Sequence, residues 1–328
     1  MLNPQLDRRG ELLHLLTTEG LPRRHVERLL DTATKFAADG TPALADADLP
    51  MFLSLPAGDA GLRQDFEAAA ARLGLRPVAL QANGPGADAG VDRGHGVGAG
   101  DLAAAHAALS PAAVAAGLPA GILVLRHPAS GAAVSAAGAR APGLRILNAG
   151  DGAHADPLPA LARVQAMLQA RHDLTNLAVA LVGDIRHSAV ARSLIHAMTT
   201  LGVPEVRAAA PRTLLPDGLP QLGVRACATL HECLAEADVV IVLPLRAERM
   251  SGALLPSARE YAASHGLTPA RLALARPDAL LLPAAALTPG IEVDGDVAAG
   301  LGDIEAGLAR SERHLRLAAL SVLTGVAA

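Results

Sequence analysis

Apolar residues fall in short unbroken runs along this chain, each closed by residues that favour turns. "GILVLRHP" (121–128), "LRILNAG" (144–150), "NLAVALVGD" (176–184), "DVVIVLPL" (238–245) and "DALLLP" (278–283) read as strands. Between and after them, apolar residues recur at helical spacing over about 157–171, 187–201, 229–236 and 303–325. Strands that are apolar throughout, rather than alternately, suit parallel sheets covered on both faces. The strand–helix alternation therefore predicts an α/β chain with two doubly wound parallel sheets. In such sheets ligands sit beyond the carboxyl ends of the strands, which directs attention to "RHP", "NAGDG", "GDIRHS" and "PLRAER".

"PAGDAGLRQDFEAAAARLG" (56–74) predicts a turn opening onto an amphipathic helix, with Leu62, Phe66, Ala69, Ala70 and Leu73 on one face. Free N–H groups and the positive end of the helix dipole make such a junction a natural anion site. Yet the turn carries Asp59 and holds no Lys, Ser or Thr. In "LRHP", Arg126 stands just beyond a buried strand. From there a guanidinium either forks onto an oxyanion or pairs with a neighbouring carboxylate.

Composition narrows the function classes. At 328 residues and 51% hydrophobic, the chain can bury two cores, built of Ala, Leu and Val, since it has three Phe, one Tyr and no Trp. With few aromatic platforms and a net charge of −4, nucleic acid is not an expected partner. No apolar run reaches membrane-spanning length and no signal peptide opens the chain, so a cytoplasmic protein without membrane contact is expected. Lys35 is the one lysine, and it stands in a polar stretch without other site signals. Cys227 and Cys233 flank His231 at a spacing that is not a standard zinc pattern, and no metal or cofactor is expected. "VGDIRHS" lacks G-x-G-x-x-G, which argues against a dinucleotide. The stretch 83–101 holds seven glycines in nineteen residues and reads as a mobile loop.

"HLLTTEGLPRRHVERLLDTA", "LRHPASGA", "ILNAGDGAHADP", "VGDIRHSAVARS", "PLRAERM" and "LLPSAREYAASHGLTPARLALA" follow one another in an order and at distances that matter. Together they resemble the catalytic chain of the aspartate carbamoyltransferase family, within the aspartate/ornithine carbamoyltransferase superfamily, over nearly the whole length. The resemblance implies a carbamoyl-phosphate domain over 1–152, with the C-terminal helix 305–328 packing back on it, and an aspartate domain over 153–304. It also implies trimers with active sites between subunits, and a link to pyrimidine biosynthesis.

Measured against that family, the ligand-contacting residues are mostly absent. The Ser-Thr-Arg-Thr-Arg string that wraps the phosphate becomes Asp59, Ala60, Gly61, Leu62 and Arg63. Four donors are lost and a like charge gained, a change of at least about 5 kcal/mol, or more than about a thousandfold in affinity. The glycine-rich stretch, where the family loop delivers a Ser and a Lys to a neighbouring subunit, has neither. His-Pro-Thr-Gln becomes Asp156, Pro157, Leu158 and Pro159, and an aspartate-gripping Arg becomes Ala189. Arg-x-Gln becomes Pro244, Leu245 and Arg246, and His-Pro-Leu-Pro becomes Leu282, Pro283, Ala284 and Ala285.

Arg126, which would stabilise the developing oxyanion in an active relative, survives. Since this chemistry rests on positioning and charge stabilisation, one arginine does not sustain it. The resemblance therefore implies a catalytically inactive homologue with a structural or regulatory role, as a homotrimer or a hetero-oligomer with an active pyrimidine-pathway enzyme. Arg126, Arg63 and Arg246 remain as ligand-binding candidates. The alternatives are a transferase with a changed substrate, using Arg126, Arg186 and Arg246 with Asp59 or Asp156, and an orthodox carbamoyl phosphate–aspartate enzyme. The pocket beside Arg126 is open, filled by Asp59 and Leu62, or occupied; the sequence leaves that choice open.

Overall fold

The structure is a computed structural model, and it describes residues 3–40, 49–80, 110–250, 252, 254–255 and 257–325. The stretch 83–101 lies outside the described residues. Two compact units emerge: Met1–Thr18 with Arg24–Leu158 and Arg313–Ala328, and Glu19–Arg23 with Pro159–Glu312.

The first unit carries a four-stranded parallel sheet of β1 (Pro50–Ser54), β2 (Arg76–Ala79), β3 (Gly121–His127) and β4 (Leu144–Asp151), in the order β2-β1-β3-β4. Every residue of β3 is buried except Arg126, as its unbroken apolar run requires. The free edge of β4 is closed by the chain before the first helix. Leu15 donates its N–H to Ile146 O at 2.8 Å and accepts from Asn148 N–H at 2.9 Å, while His14 Nδ1 accepts from Ile146 N–H at 3.0 Å. An edge strand left open would present those groups to other chains.

Four helices surround this sheet in sequence: α1 (Arg23–Ala38), α2 (Ala60–Leu73), α3 (Pro111–Ala116) and α4 (Ala132–Gly138). On α1, Val26, Leu29, Leu30, Ala33 and Phe36 are buried at helical spacing. On α2 the buried face is Phe66, Ala69, Ala70 and Leu73, with Leu62 only half-buried. The core between β3, β4 and α4 is made of Leu123, Leu125 and Ile146 against Ala132, Ala133 and Ala136. Small side chains on α4 let the helix lie close to the sheet, so the core packs without aromatic bulk.

The second unit has a five-stranded parallel sheet: β5 (Ala178–Gly183), β6 (Glu205–Ala209), β7 (Val224–Ala226), β8 (Val239–Leu243) and β9 (Leu280–Pro283), ordered β7-β6-β5-β8-β9. Helices α5 (Pro157–Arg171), α6 (Ala189–Leu201), α7 (Leu230–Leu234), α8 (Ala258–His265), α9 (Pro269–Leu272) and α10 (Gly295–Ala299) follow in chain order. Ala180, Val182, Val240 and Val242 meet Cys233, Leu234 and Val297 in its core. Cys227 and Cys233 are buried there while His231 is exposed, so the three do not converge. The last helix, α11 (Gly302–Thr324), brings Arg316 to Asp65 at 2.8 Å and lays its guanidinium over the Phe66 ring. Among the described residues no helix is long and apolar enough to cross a membrane.

All five predicted strands and all five predicted helices are present, each shifted by at most a few residues. Strands β1, β2, β6 and β7 are elements that the apolar pattern did not announce.

Candidate functional site

In the first sheet the chain steps from β1 outward to β2 and from β3 outward to β4, so the strand order reverses between β1 and β3. Beyond the carboxyl ends of those two strands lies the usual place for a ligand in a doubly wound sheet. Arg126, the penultimate residue of β3, stands there. Its aim is set by an irregularity in the pairing of β3 with β4. Leu125 pairs with Asn148 and His127 with Asp151, so β4 spends one more residue than β3 opposite Arg126. Such a bulge bends the strand and redirects the groups beside it. Ala149 O is turned toward Arg126 and accepts from its NH1 at 2.8 Å. Gly150 makes this possible: its φ is +116°, and a Cβ there would meet Arg126 NH1 at 3.0 Å and Asp156 Oδ2 at 3.2 Å. No other residue type fits that backbone and that space.

The rest of the Arg126 guanidinium faces carboxylates. Asp59 Oδ2 is 2.8 Å from Nε, and Asp156 Oδ2 is 3.8 Å from NH1. Asp59 is the N-cap residue of α2, a position where a carboxylate ordinarily accepts an N–H from the first helical turn. Here it makes no capping hydrogen bond, and its φ and ψ of −93° and 43° depart from the extended capping conformation. The side chain has been drawn off the helix and onto the arginine. Of the three options the sequence left open, Asp59 is found against Arg126, and Leu62 is half-buried in the first turn of α2.

Ala60, Gly61 and Leu62 form the first turn of α2 and bring no side-chain donor. Arg63, the next residue, turns its NH2 back to Leu55 O at 3.3 Å. Around Arg126, then, one arginine is matched by two carboxylates and a carbonyl.

The "NAGDG" string is engaged in its own turn. Asn148 Nδ2 donates to Leu16 O, Asp151 Oδ1 and Ala155 O at 2.7, 3.1 and 3.3 Å, and its Oδ1 accepts from Gly150 N–H at 2.9 Å. Asp151 is fully buried and accepts from Ala155 N–H at 2.9 Å and from the His154 ring at 3.1 Å. These residues hold the loop after β4 and reach no open space.

In the second unit the strand order reverses between β5 and β8, and their loops again carry the polar groups. Asp184, buried at 0% exposure, follows β5 and accepts from His187 Nδ1 at 2.9 Å, His187 N–H at 3.2 Å and Arg246 N–H at 3.2 Å. A carboxylate accepts only, so the ring proton of His187 sits on Nδ1 and Nε2 carries the lone pair. His187 was not singled out from the sequence; an Asp three residues before a His in a strand-to-helix turn is the signal that could have found it.

Arg246 places NH1 3.5 Å from Glu248, while among the described residues its buried Nε has no hydrogen-bond partner. Arg249 NH1 donates to His187 O at 2.9 Å. Glu292, 2% exposed, accepts from Leu245 N–H at 2.8 Å and Thr288 N–H at 2.7 Å. Burial, with Glu292 and Asp184 nearby, pushes the Tyr261 phenol well above its ordinary range. Pro244 directly follows β8, and Ala189 opens α6 behind the Ser188 cap. Arg186 donates to Leu215 O at 2.9 Å. Pro159 and Pro283 lend their carbonyls to Arg163, at 3.0 Å each. Pro159, Ala189, Pro244 and Pro283 carry no side-chain donor for a ligand. Among the described residues no cluster of His, Cys, Asp and Glu is arranged to hold a metal ion.

No family model matches the chain. Its fold is nevertheless that of solved carbamoyltransferases. The anabolic ornithine carbamoyltransferase of Campylobacter jejuni superposes with a TM-score of 0.70 at 17% identity, covering 96% of this chain and 100% of its own. Aspartate transcarbamoylase of Trypanosoma cruzi, in complex with carbamoyl aspartate and phosphate, gives 0.68 at 20% identity with both chains fully covered. The Pyrococcus furiosus ornithine carbamoyltransferase gives 0.68 at 19%, covering 95% and 99%. The two parallel-sheet units are the carbamoyltransferase architecture, carried by a sequence far from both branches.

Proposed function

We propose that this chain is a non-catalytic carbamoyltransferase-fold protein, with a structural or regulatory role in an assembly. The observation that carries this reading is the Arg126 guanidinium, whose Nε faces Asp59 at 2.8 Å and whose NH1 is held by Ala149 O. Carbamoyl transfer needs a cationic pocket that grips an anionic donor and stabilises the oxyanion formed on it. Here the charge is already met by a carboxylate of the same chain. An incoming phosphate would have to displace Asp59 and then sit beside both Asp59 and Asp156, and like charges at such range oppose binding.

The assembly proposed is a homotrimer, or a hetero-oligomer with an active enzyme of pyrimidine biosynthesis, in the cytoplasm. Steady-state assays with carbamoyl phosphate and either L-aspartate or L-ornithine test the catalytic half of the reading. The expected result is no saturable product with either amine, and saturable carbamoylation of either one overturns it. Sedimentation of the pure protein tests the assembly half, with a mass of three chains expected for the homotrimer.

A second reading has one observation in its favour, the Asp184–His187 pair beside Arg246, whose Nε has no partner among the described residues. An imidazole held by a buried carboxylate and an unsatisfied guanidinium nitrogen are the parts of a working site, and they favour a transferase with a changed substrate. A thermal-shift screen separates the readings, because a ligand of the native state raises the melting temperature. Stabilisation by phosphorylated or dicarboxylic compounds that His187→Ala abolishes would favour the second.

A further inference from the structure

On the side of the first unit where the N-terminal segment closes the edge of β4, a cavity of about 470 Å³ lies between that segment and α4. Its volume falls within the roughly 300–1,000 Å³ of small-molecule sites. It shares no residue with the Asp59–Arg126 constellation, so a ligand held in it is independent of whether the chain is a catalyst. Leu6 and Leu13 form one wall, Val134 and Ala137 of α4 the other. Val134 is 40% exposed, the one large hydrophobic side chain among the described residues with that degree of exposure.

Three polar side chains complete the lining: Asn3, whose Oδ1 accepts from Gln5 N–H at 3.0 Å, Arg140 and His14. Arg140 follows α4 and is exposed, and among the described residues its guanidinium has neither an ion-pair nor a hydrogen-bond partner. His14 presents an imidazole whose Nδ1 accepts from Ile146 N–H at 3.0 Å, which puts the ring proton on Nε2. That N–H has no partner among the described residues. Burial, with Arg145 nearby, pulls the His14 pKa down to about 4, so the ring is a neutral donor at physiological pH.

An apolar chamber with one unpaired guanidinium and one neutral N–H donor has a defined complement. A single planar fork and one further donor in the same lining match the two oxygens of one carboxylate. It is too little charge for a phosphate. Leu6, Leu13, Val134 and Ala137 suit a hydrocarbon body.

We propose that this cavity binds a small monocarboxylate with an apolar body, its carboxylate on Arg140 and His14 and its hydrocarbon between Leu13 and Val134. The ligand class is that of medium-chain fatty acid anions and aryl or branched-chain carboxylates.

Calorimetric titration of the full-length protein with sodium octanoate, octan-1-ol and sodium acetate tests this. Octanoate is expected to saturate with a Kd at or below about 1 mM, and the alcohol and acetate to bind at least about tenfold more weakly. Arg140→Glu and Val134→Glu, both at exposed positions, are each expected to weaken octanoate by about tenfold or more. Absence of saturable octanoate heat, equal binding of octanoate and octan-1-ol, or full affinity in either folded variant overturns the proposal. The comparison of octanoate with octan-1-ol uses the unmodified protein, so it decides the matter even if a variant fails to fold.

Discussion

Asp59 gives its carboxylate to Arg126 across 2.8 Å and leaves the N-terminus of α2 without a side-chain cap. The two side chains are 31% and 33% exposed, so the pair is worth no more than about 1 kcal/mol after solvent screening. A good cap is worth about as much. Replacing Asp59 by Ser should therefore leave stability within about 1 kcal/mol of the parent, since the regained cap offsets the lost pair. Urea denaturation with unchanged slope is the check. The same substitution removes the anion that neutralises Arg126, so inorganic phosphate should bind the variant measurably and the parent not at all.

Gly150 is the backbone position on which the Arg126 site rests. Gly150→Ala would place a methyl 3.0 Å from Arg126 NH1 at a φ of +116°. A loss of about 1–3 kcal/mol is expected from the strained conformation. A midpoint shift of that size in a denaturant melt, against a near-neutral Gly58→Ala control where a Cβ meets nothing within 4 Å, would bear this out.

His14 makes stability depend on pH. Its folded pKa of about 4 lies below the ordinary 6.5 because burial disfavours the charged ring, with Arg145 adding to the effect. The unfolded chain thus binds a proton more readily than the folded one, and stability falls as the pH drops from about 6.5 toward 4. The full contribution is on the order of 3 kcal/mol. His265 and His314 are shifted the same way by burial and add to the same limb. His14→Asn, which keeps an acceptor for Ile146 N–H, should flatten the acid limb of the stability profile while changing stability little at pH 8.

Asp184 stands at the centre of the second unit's loop cluster. Asp184→Ala would leave three N–H groups without their acceptor in a buried place, at a loss of roughly 3 kcal/mol or more. Thermal melts should report it. The His187 Nδ1 proton, visible by NMR at low temperature in the parent, should exchange too fast to see in the variant.

The sequence showed the fold most clearly in β5 and β8, continuous apolar runs buried almost throughout, and in β3 and β4, whose runs are broken by few polar residues. β1, "PMFLS", is buried from Met51 to Ser54 but is too short a run between a proline and a serine to stand out. β2 reads "RPVA" and is mostly exposed at a sheet edge, and β7 is three residues with Arg225 at its centre, so neither carries an apolar signature. β6 hides Arg207, which the chain satisfies with Glu205 and Ala235 O, a solution invisible at the level of hydropathy. At the candidate site, the absence of hydroxyl groups at 59–63 was legible because it is local. The pairing of Asp59 with Arg126 was one option among three, since only the β1–β3 contact brings the start of α2 to the end of β3. The Asp184–His187 pair is local and was within reach of the sequence, but it matches no nucleophile or metal pattern that would have drawn attention to it.

The wiring of Asn148 and Asp151 bears on how such proteins are recognised. Those side chains spend their hydrogen bonds on Leu16, Gly150 and Ala155, so selection on foldability alone is enough to keep the letters in place. A signature built on them reports the fold and says nothing of turnover. The letters at 59–63 lie outside that network.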